Sequence, residues 1–218
     1  MNKDWSELNK TMQLKLKKTD TYKDGIQTLF DLRNKLIQEI LSFRKLDRDS
    51  FNAMPFINAD GYHSKNIAYS LWHIFRIEDI VSHTLINGDE QIFFSGRYSE
   101  RINSPIITTG NELVRKQISD FSEQLDIDEL YTYICEVKDS TEQILAAMPF
   151  DMLKHKISAE TKVNLQKLNV VSTDKNANWL IDYWCGKNIR GLIQMPFSRH
   201  WIMHTEACMR IRNKLLSV

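Results

Sequence analysis

Between Thr21 and Leu46, Ile26, Leu29, Phe30, Leu36, Ile37, Ile40, Leu41 and Phe43 recur at three- and four-residue spacing. Lys23, Asp24, Arg33, Lys35, Gln38 and Glu39 lie largely off that stripe. A period near 3.6 residues places the apolar side chains on one face of a helix. Strand-like alternation is scarce elsewhere, and 7 Gly and 4 Pro are few interruptions for 218 residues. Such a chain is expected to be all-α.

Further helices follow from the same pattern. Trp5, Leu8, Met12 and Leu16 mark a short one within residues 1–20, ended near Thr19-Asp20. Residues 47–64 hold Pro55, Gly61 and several Asn and Asp, the composition of a loop, but also Phe51, Met54, Phe56 and Ile57, so this loop is expected to pack over one end of the fold. A long helix is expected over about 64–86, ended by Asn87-Gly88. Residues 89–107 read as a loop with at most a helical turn. Thr108 or Thr109 is expected to cap a helix running to about Phe121, and Asp126 or Asp128 a longer one over about 129–148, stopped by Pro149. Residues 150–174 read as loop with short helices, 178–185 as a short helix, and 198–216 as a final long one. Four long helices with short ones in the crossovers make an elaborated four-helix bundle, a single domain with its core at about 22–216.

Bulk properties exclude several classes. The formal net charge is +1, which gives no electrostatic footprint for nucleic acid. No run approaches the roughly 18 apolar residues of a membrane span. Lys3, Asp4 and Glu7 precede any apolar run, unlike a signal peptide. Cys135, Cys185 and Cys208 are widely spaced and form no C-x-x-C pair, so a reducing, cytoplasmic setting is expected.

The chemistry is concentrated in three imidazoles. His200 and His204 lie four residues apart on the last helix, and so on one face about a turn apart. His73, within Ser70-Leu-Trp-His-Ile-Phe-Arg-Ile-Glu78, offers a third ligand from another helix. Three neutral imidazoles leave an open coordination position, as catalytic metal sites do, and suit Zn, Ni, Cu, Fe or Co. Trp201 stands where an H-E-x-x-H zincin carries its glutamate, so metal-dependent proteolysis is not expected. Cys208 continues the His204 stripe, but two turns from His200 it reads as a buried, inert thiol. Glu78, Asp79 and Glu206 fall off the ligand face and are expected to serve in pairing or capping. Trp72, Phe75, Phe197, Trp201 and Trp184 supply aromatic walls suited to an amphipathic small molecule.

His73 on one long helix, followed by Arg199-His200-Trp-Ile-Met-His204-Thr-Glu206 on the last, resembles the DinB/YfiT-like superfamily, which includes metalloenzymes. The resemblance implies an up-down-down-up four-helix bundle with a divalent metal, typically Zn or Ni, on His73, His200 and His204. It further implies a thiol-dependent S-transferase-like enzyme that activates a low-molecular-weight thiol such as bacillithiol, and a homodimer. The chain departs from the family in its long inserts, 89–110 and 150–190. The competing expectation is a non-catalytic binding protein whose histidines are structural.

Overall fold

The computed structural model describes residues 2–217. It is helical throughout, with no strand among the described residues. In chain order the helices are α1 (Lys3–Lys15), α2 (Tyr22–Ser42), α3 (Arg48–Asn52), α4 (Ile67–Asp79), α5 (Ile92–Ser95), α6 (Tyr98–Arg101), α7 (Lys116–Ser122), α8 (Ile127–Ala147), α9 (Ala159–Lys167), α10 (Trp179–Cys185), α11 (Ile189–Gln194) and α12 (His200–Leu216). Two π-helical turns, Ile80–Asn87 and Met195–Arg199, extend α4 and lead into α12. No helix of the described residues is long and apolar enough to cross a membrane.

Local signals set most of the boundaries. Asn66 caps α4 by accepting the Tyr69 N–H at 2.8 Å, and Asp126 caps α8 by accepting the Glu129 N–H at 3.0 Å. Gly88 ends the long helix in the left-handed conformation (φ 74°), with its N–H on the His83 carbonyl. One helix starts later than expected. The helix anticipated from Thr108 or Thr109 begins only at Lys116, because the carbonyls of Ile107, Thr109, Gly110 and Leu113 are claimed by side chains of α4 and its N-terminal approach, and Gly110 sits at φ 75°. Residues 189–199, for which the sequence pattern carried no assignment before Ser198, are helical, and they carry Pro196. Proline cannot donate to the preceding turn, and there the helix widens into its π-turn.

α4 is the central element. All its residues are buried, the charged Arg76, Glu78 and Asp79 included, and a helix covered on every side belongs in the middle of a fold. It packs on α8 and α12, while α2 touches both of those and carries α1 along its other side. Gly25 permits that last approach, since a Cβ there would lie 2.9 Å from Leu16 Cδ2. The apolar interior forms two clusters. One gathers Leu36, Trp72, Phe75, Tyr133 and Trp201, the other Leu29, Ile80, Leu145, Trp184 and Phe197.

A buried ion pair lies at the seam of the clusters. Arg33 of α2 donates to both carboxylate oxygens of Glu78 of α4, at 2.7 and 3.0 Å, and from Nε to Glu142 of α8 at 3.0 Å. Its Nη1 also reaches the Phe197 carbonyl at 3.3 Å in the π-turn before α12. Trp201 of α12 donates its indole N–H to Glu78 at 2.6 Å, and the guanidinium stacks 4.3 Å over that ring. Burial works to lower the Arg33 pKa, but the Glu78 and Glu142 carboxylates outweigh it and hold the pKa above its ordinary value. Removing one partner strands the other charge, so Glu78→Ala is expected to destabilise by about 3–5 kcal/mol. Urea unfolding measures this, and a Glu78→Ala midpoint equal to wild type contradicts it. Replacing Arg33 and Glu78 together with apolar residues is expected to cost less than Glu78→Ala alone.

Candidate metal centre

The structure brings His73, His200 and His204 together. One ligand atom from each lies within 4.8 Å of the others. Ring centroids stand 5.0 Å apart for His73–His200, 4.9 Å for His73–His204 and 4.5 Å for His200–His204. All three side chains are buried. Nitrogens in a tetrahedral zinc site stand roughly 3.4 Å apart at ~2.1 Å bond lengths, so small rotations of these rings close the site.

The backbone explains the convergence. His200 opens α12 directly after the Met195–Arg199 π-turn, and His204 follows one turn later on the same face. Trp201 and the Phe197 carbonyl, on either side of His200, are the points at which the Arg33–Glu78 network grips this segment. The histidine register is thus tied to the buried ion pair.

His73 is held by a strap of chain. Arg76, His73, Tyr69 and Lys65 fall at spacings of three and four along α4 and its N-terminal approach, and each donates to a carbonyl of loop 107–113. Arg76 Nε bonds Ile107 at 3.0 Å, His73 Nδ1 bonds Thr109 at 2.7 Å, Tyr69 Oη bonds Gly110 at 2.8 Å and Lys65 Nζ bonds Leu113 at 3.3 Å. A carbonyl can only accept, so Nδ1 of His73 carries the proton and Nε2 is its free nitrogen. Metal-ligating histidines are oriented by bonds of this kind. Tyr69 also stacks on His73, with 5.4 Å between centroids and 12° between planes. The insert that ends in this strap is anchored near its start by Asp79, which accepts the N–H groups of Ile92 and Phe93 at 2.9 Å each and the Tyr133 hydroxyl at 2.8 Å.

Burial pushes the His73 pKa down to about 4, the Thr109 bond opposing and Lys65 reinforcing the shift. Burial likewise holds His200 and His204 well below the ordinary imidazole value, with neighbouring histidines adding to it. All three are therefore neutral, the form in which imidazole binds metals. Nδ1 of His200 and Nδ1 of His204 are buried without a hydrogen-bond partner. Nitrogen left unsatisfied inside a protein calls for an explanation such as an ion or water, and an all-imidazole donor set fits a divalent transition metal.

Above the histidines lies a cavity of about 630 Å³. Tyr62, Tyr69, Met195, Pro196 and Met203 contribute to its lower wall, and Trp179, Leu180, Tyr183 and Trp184 of α10 form another side. Trp184 was legible as an aromatic neighbour of the site. Trp179 and Tyr183, on the same short helix, were not, and Trp179 is 49% exposed. Neither Asp, Glu nor Cys lines the cavity. Cys208 is buried away from it, and burial raises its thiol to about 12. Cys185 is partly buried on the far side of α10 from the lining, its pKa also raised by burial. Glu78 and Asp79 are committed to the networks above, and Glu206 accepts the Asn2 N–H. Arg199 is exposed and outside the cavity wall.

His83 belongs to a separate constellation. Its Nδ1 pairs with Asp89 at 2.8 Å and its Nε2 meets the Ser140 hydroxyl at 3.1 Å. The order is that of a Ser-His-Asp triad. Ser140, however, lies inside α8, where surrounding N–H groups are spent on helix bonds and form no oxyanion hole. The arrangement clamps the end of the long helix to α8.

No model of a known protein family matches this sequence, and no curated protein matches it.

Because the cluster is neutral when folded and ordinary when unfolded, the unfolded chain binds more protons between the two pKa values. Stability of the metal-free protein is therefore present above about pH 6.5 and lost as pH falls toward the folded values. For His73 the window runs from the ordinary value to about 4, a loss of about 3 kcal/mol. Urea midpoints of chelator-treated protein from pH 7.5 to 4.5 measure this. The midpoint is expected to fall with pH, less steeply in His73→Gln, and equal slopes in both proteins contradict the assignment.

Proposed function

We propose that this protein is a divalent-metal-binding member of the DinB/YfiT-like superfamily, with α2, α4, α8 and α12 as its four-helix bundle and Zn or Ni on His73, His200 and His204. The observation that carries the reading is the buried cluster of three neutral imidazoles at the floor of an open cavity. A divalent cation there supplies Lewis acidity, which favours the deprotonated form of a thiol or water in the open position.

What the chain's own residues contribute bears on the reaction class. A metallohydrolase that activates water commonly sets a carboxylate beside the metal as general base, and no carboxylate of the described residues lines this cavity. The protein also offers no thiol of its own there. A nucleophile brought in from solution, already acidic enough to need no protein base, fits such a site. A low-molecular-weight thiol, of which bacillithiol is one kind, has that property. We therefore read the protein as a thiol-dependent S-transferase-like enzyme. His73, held by Thr109, keeps its orientation through turnover, and the α10 aromatics seat the apolar part of the acceptor.

Elemental analysis of natively purified and reconstituted protein tests the reading. Wild type is expected to carry about one transition-metal ion per chain and His200→Ala to lose it. Metal-free wild type after reconstitution contradicts the proposal. With metal bound, thiols paired with a chloroaromatic electrophile are expected to react at a rate that depends on the metal and falls at least about 100-fold in His200→Ala. Equal rates in both proteins contradict the transferase assignment while leaving the metal site standing.

A further inference from the structure

The cavity over the histidines has an uneven charge. Among the described residues Lys65 is the one cationic side chain in its wall, the histidines being neutral, and no carboxylate lines it. Lys65 is partly buried and makes no ion pair among the described residues. Its ammonium spends one N–H on the Leu113 carbonyl at 3.3 Å and lies 5.1 Å from the Tyr69 ring. An ammonium has three donors, so two remain. Burial pushes its pKa below the ordinary value with no carboxylate to raise it. A charge taken partly out of water without a counter-charge is costly, and an anionic ligand would offset that cost.

A second donor stands nearby on the strap. The Thr109 hydroxyl donates to Oδ1 of Asn111 at 2.8 Å. That bond orients the amide and leaves its Nδ2 hydrogens without a partner among the described residues. Asn111 also lines the cavity, as does Asn176 from the chain before α10. Leu180, Tyr183 and Trp184 of α10 give the same cavity an apolar and aromatic wall.

We propose that Lys65 and Asn111 form a subsite for the carboxylate of an amphipathic small molecule whose apolar body rests against α10. One ammonium and one amide match a monoanion. A phosphate dianion is ordinarily met by bidentate arginines or several converging N–H groups, and neither lines this cavity. The inference rests on the reading of this cavity as a small-molecule site, and adds the charge and the polarity of what enters it.

The test compares phenylacetate with its neutral counterpart phenylacetamide, read by tryptophan fluorescence, since Trp179 and Trp184 line the cavity. Wild type, Lys65→Met and Lys65→Arg are each titrated, chelator-treated and zinc-loaded, with melting temperatures recorded beside them. Wild type is expected to prefer phenylacetate by at least ~10-fold, about 1.4 kcal/mol. That preference should vanish in Lys65→Met and persist in large part in Lys65→Arg. A preference unchanged in a folded Lys65→Met, or no preference in wild type, overturns the subsite. The chelated arm separates the two readings. Carboxylate preference without zinc binding sinks the metal centre and keeps the subsite, whereas zinc binding without carboxylate preference does the reverse.

Discussion

The Arg33–Glu78 ion pair is the constraint on which the remainder of the structure depends. It is fully buried and bidentate, and through Glu142, Phe197 and Trp201 it draws α2, α4, α8 and the start of α12 into one polar network. Buried charge pairs contribute little net stability compared with apolar packing, but breaking one is expensive. Their value lies in register. Apolar stripes alone allow helices to slide by a turn at modest cost, whereas a guanidinium that must meet two carboxylates, a carbonyl and an indole face permits one alignment. His200 sits between two of the residues this network holds, so the alignment of α12 and the position of the histidines are a single matter.

His73 is fixed from the other side. Four side chains at three- and four-residue spacing on and just before α4 take four carbonyls of loop 107–113, and Asp79 pins the insert where it leaves the long helix. The insert is therefore a brace for the imidazole as well as part of the cavity wall. Gly110 belongs to the same logic. Its φ of 75° turns the strap, and a Cβ there would meet the Tyr69 ring at 3.0 Å. Of the two π-turns, Met195–Arg199 directly precedes His200 and His204, where a widened turn re-aims the side chains that follow, whereas Ile80–Asn87 lies past His73.

The sequence made the helical class and the long helices plain, because their apolar period is strong and Gly88, Asp126 and Pro149 punctuate them clearly, whereas the Asn66 cap lies two residues past the expected start. It also named the three histidines: i, i+4 spacing shows the His200–His204 pair without a structure, and His73 was the third ligand sought on another helix. The strap was not legible. Its bonds run from side chains to carbonyls of a loop, and carbonyls leave no signature in residue identity. The same bonds removed the first half of the helix anticipated from Thr108 or Thr109, since those carbonyls were needed elsewhere. The residue pairs at the seam were hidden for a related reason. Arg33 reads as the polar face of an amphipathic helix and Glu78 as a pairing or capping residue without a named partner, and only the fold brings the two together inside, 45 positions apart in sequence. Tyr183 and Trp179 escaped because α10 is too short for periodicity to reveal which face looks onto the cavity.

The central claim is that three imidazoles from two helices share one ion. Anomalous diffraction from crystals grown with zinc tests it most directly. A single strong peak is expected in the cavity floor, with nitrogens of His73, His200 and His204 at ~2.0–2.1 Å and a fourth position open to the cavity, and Nδ1 of His73 still bonded to Thr109. A cluster free of anomalous density in zinc-replete crystals, with the imidazoles bonded to water or to one another, would contradict it.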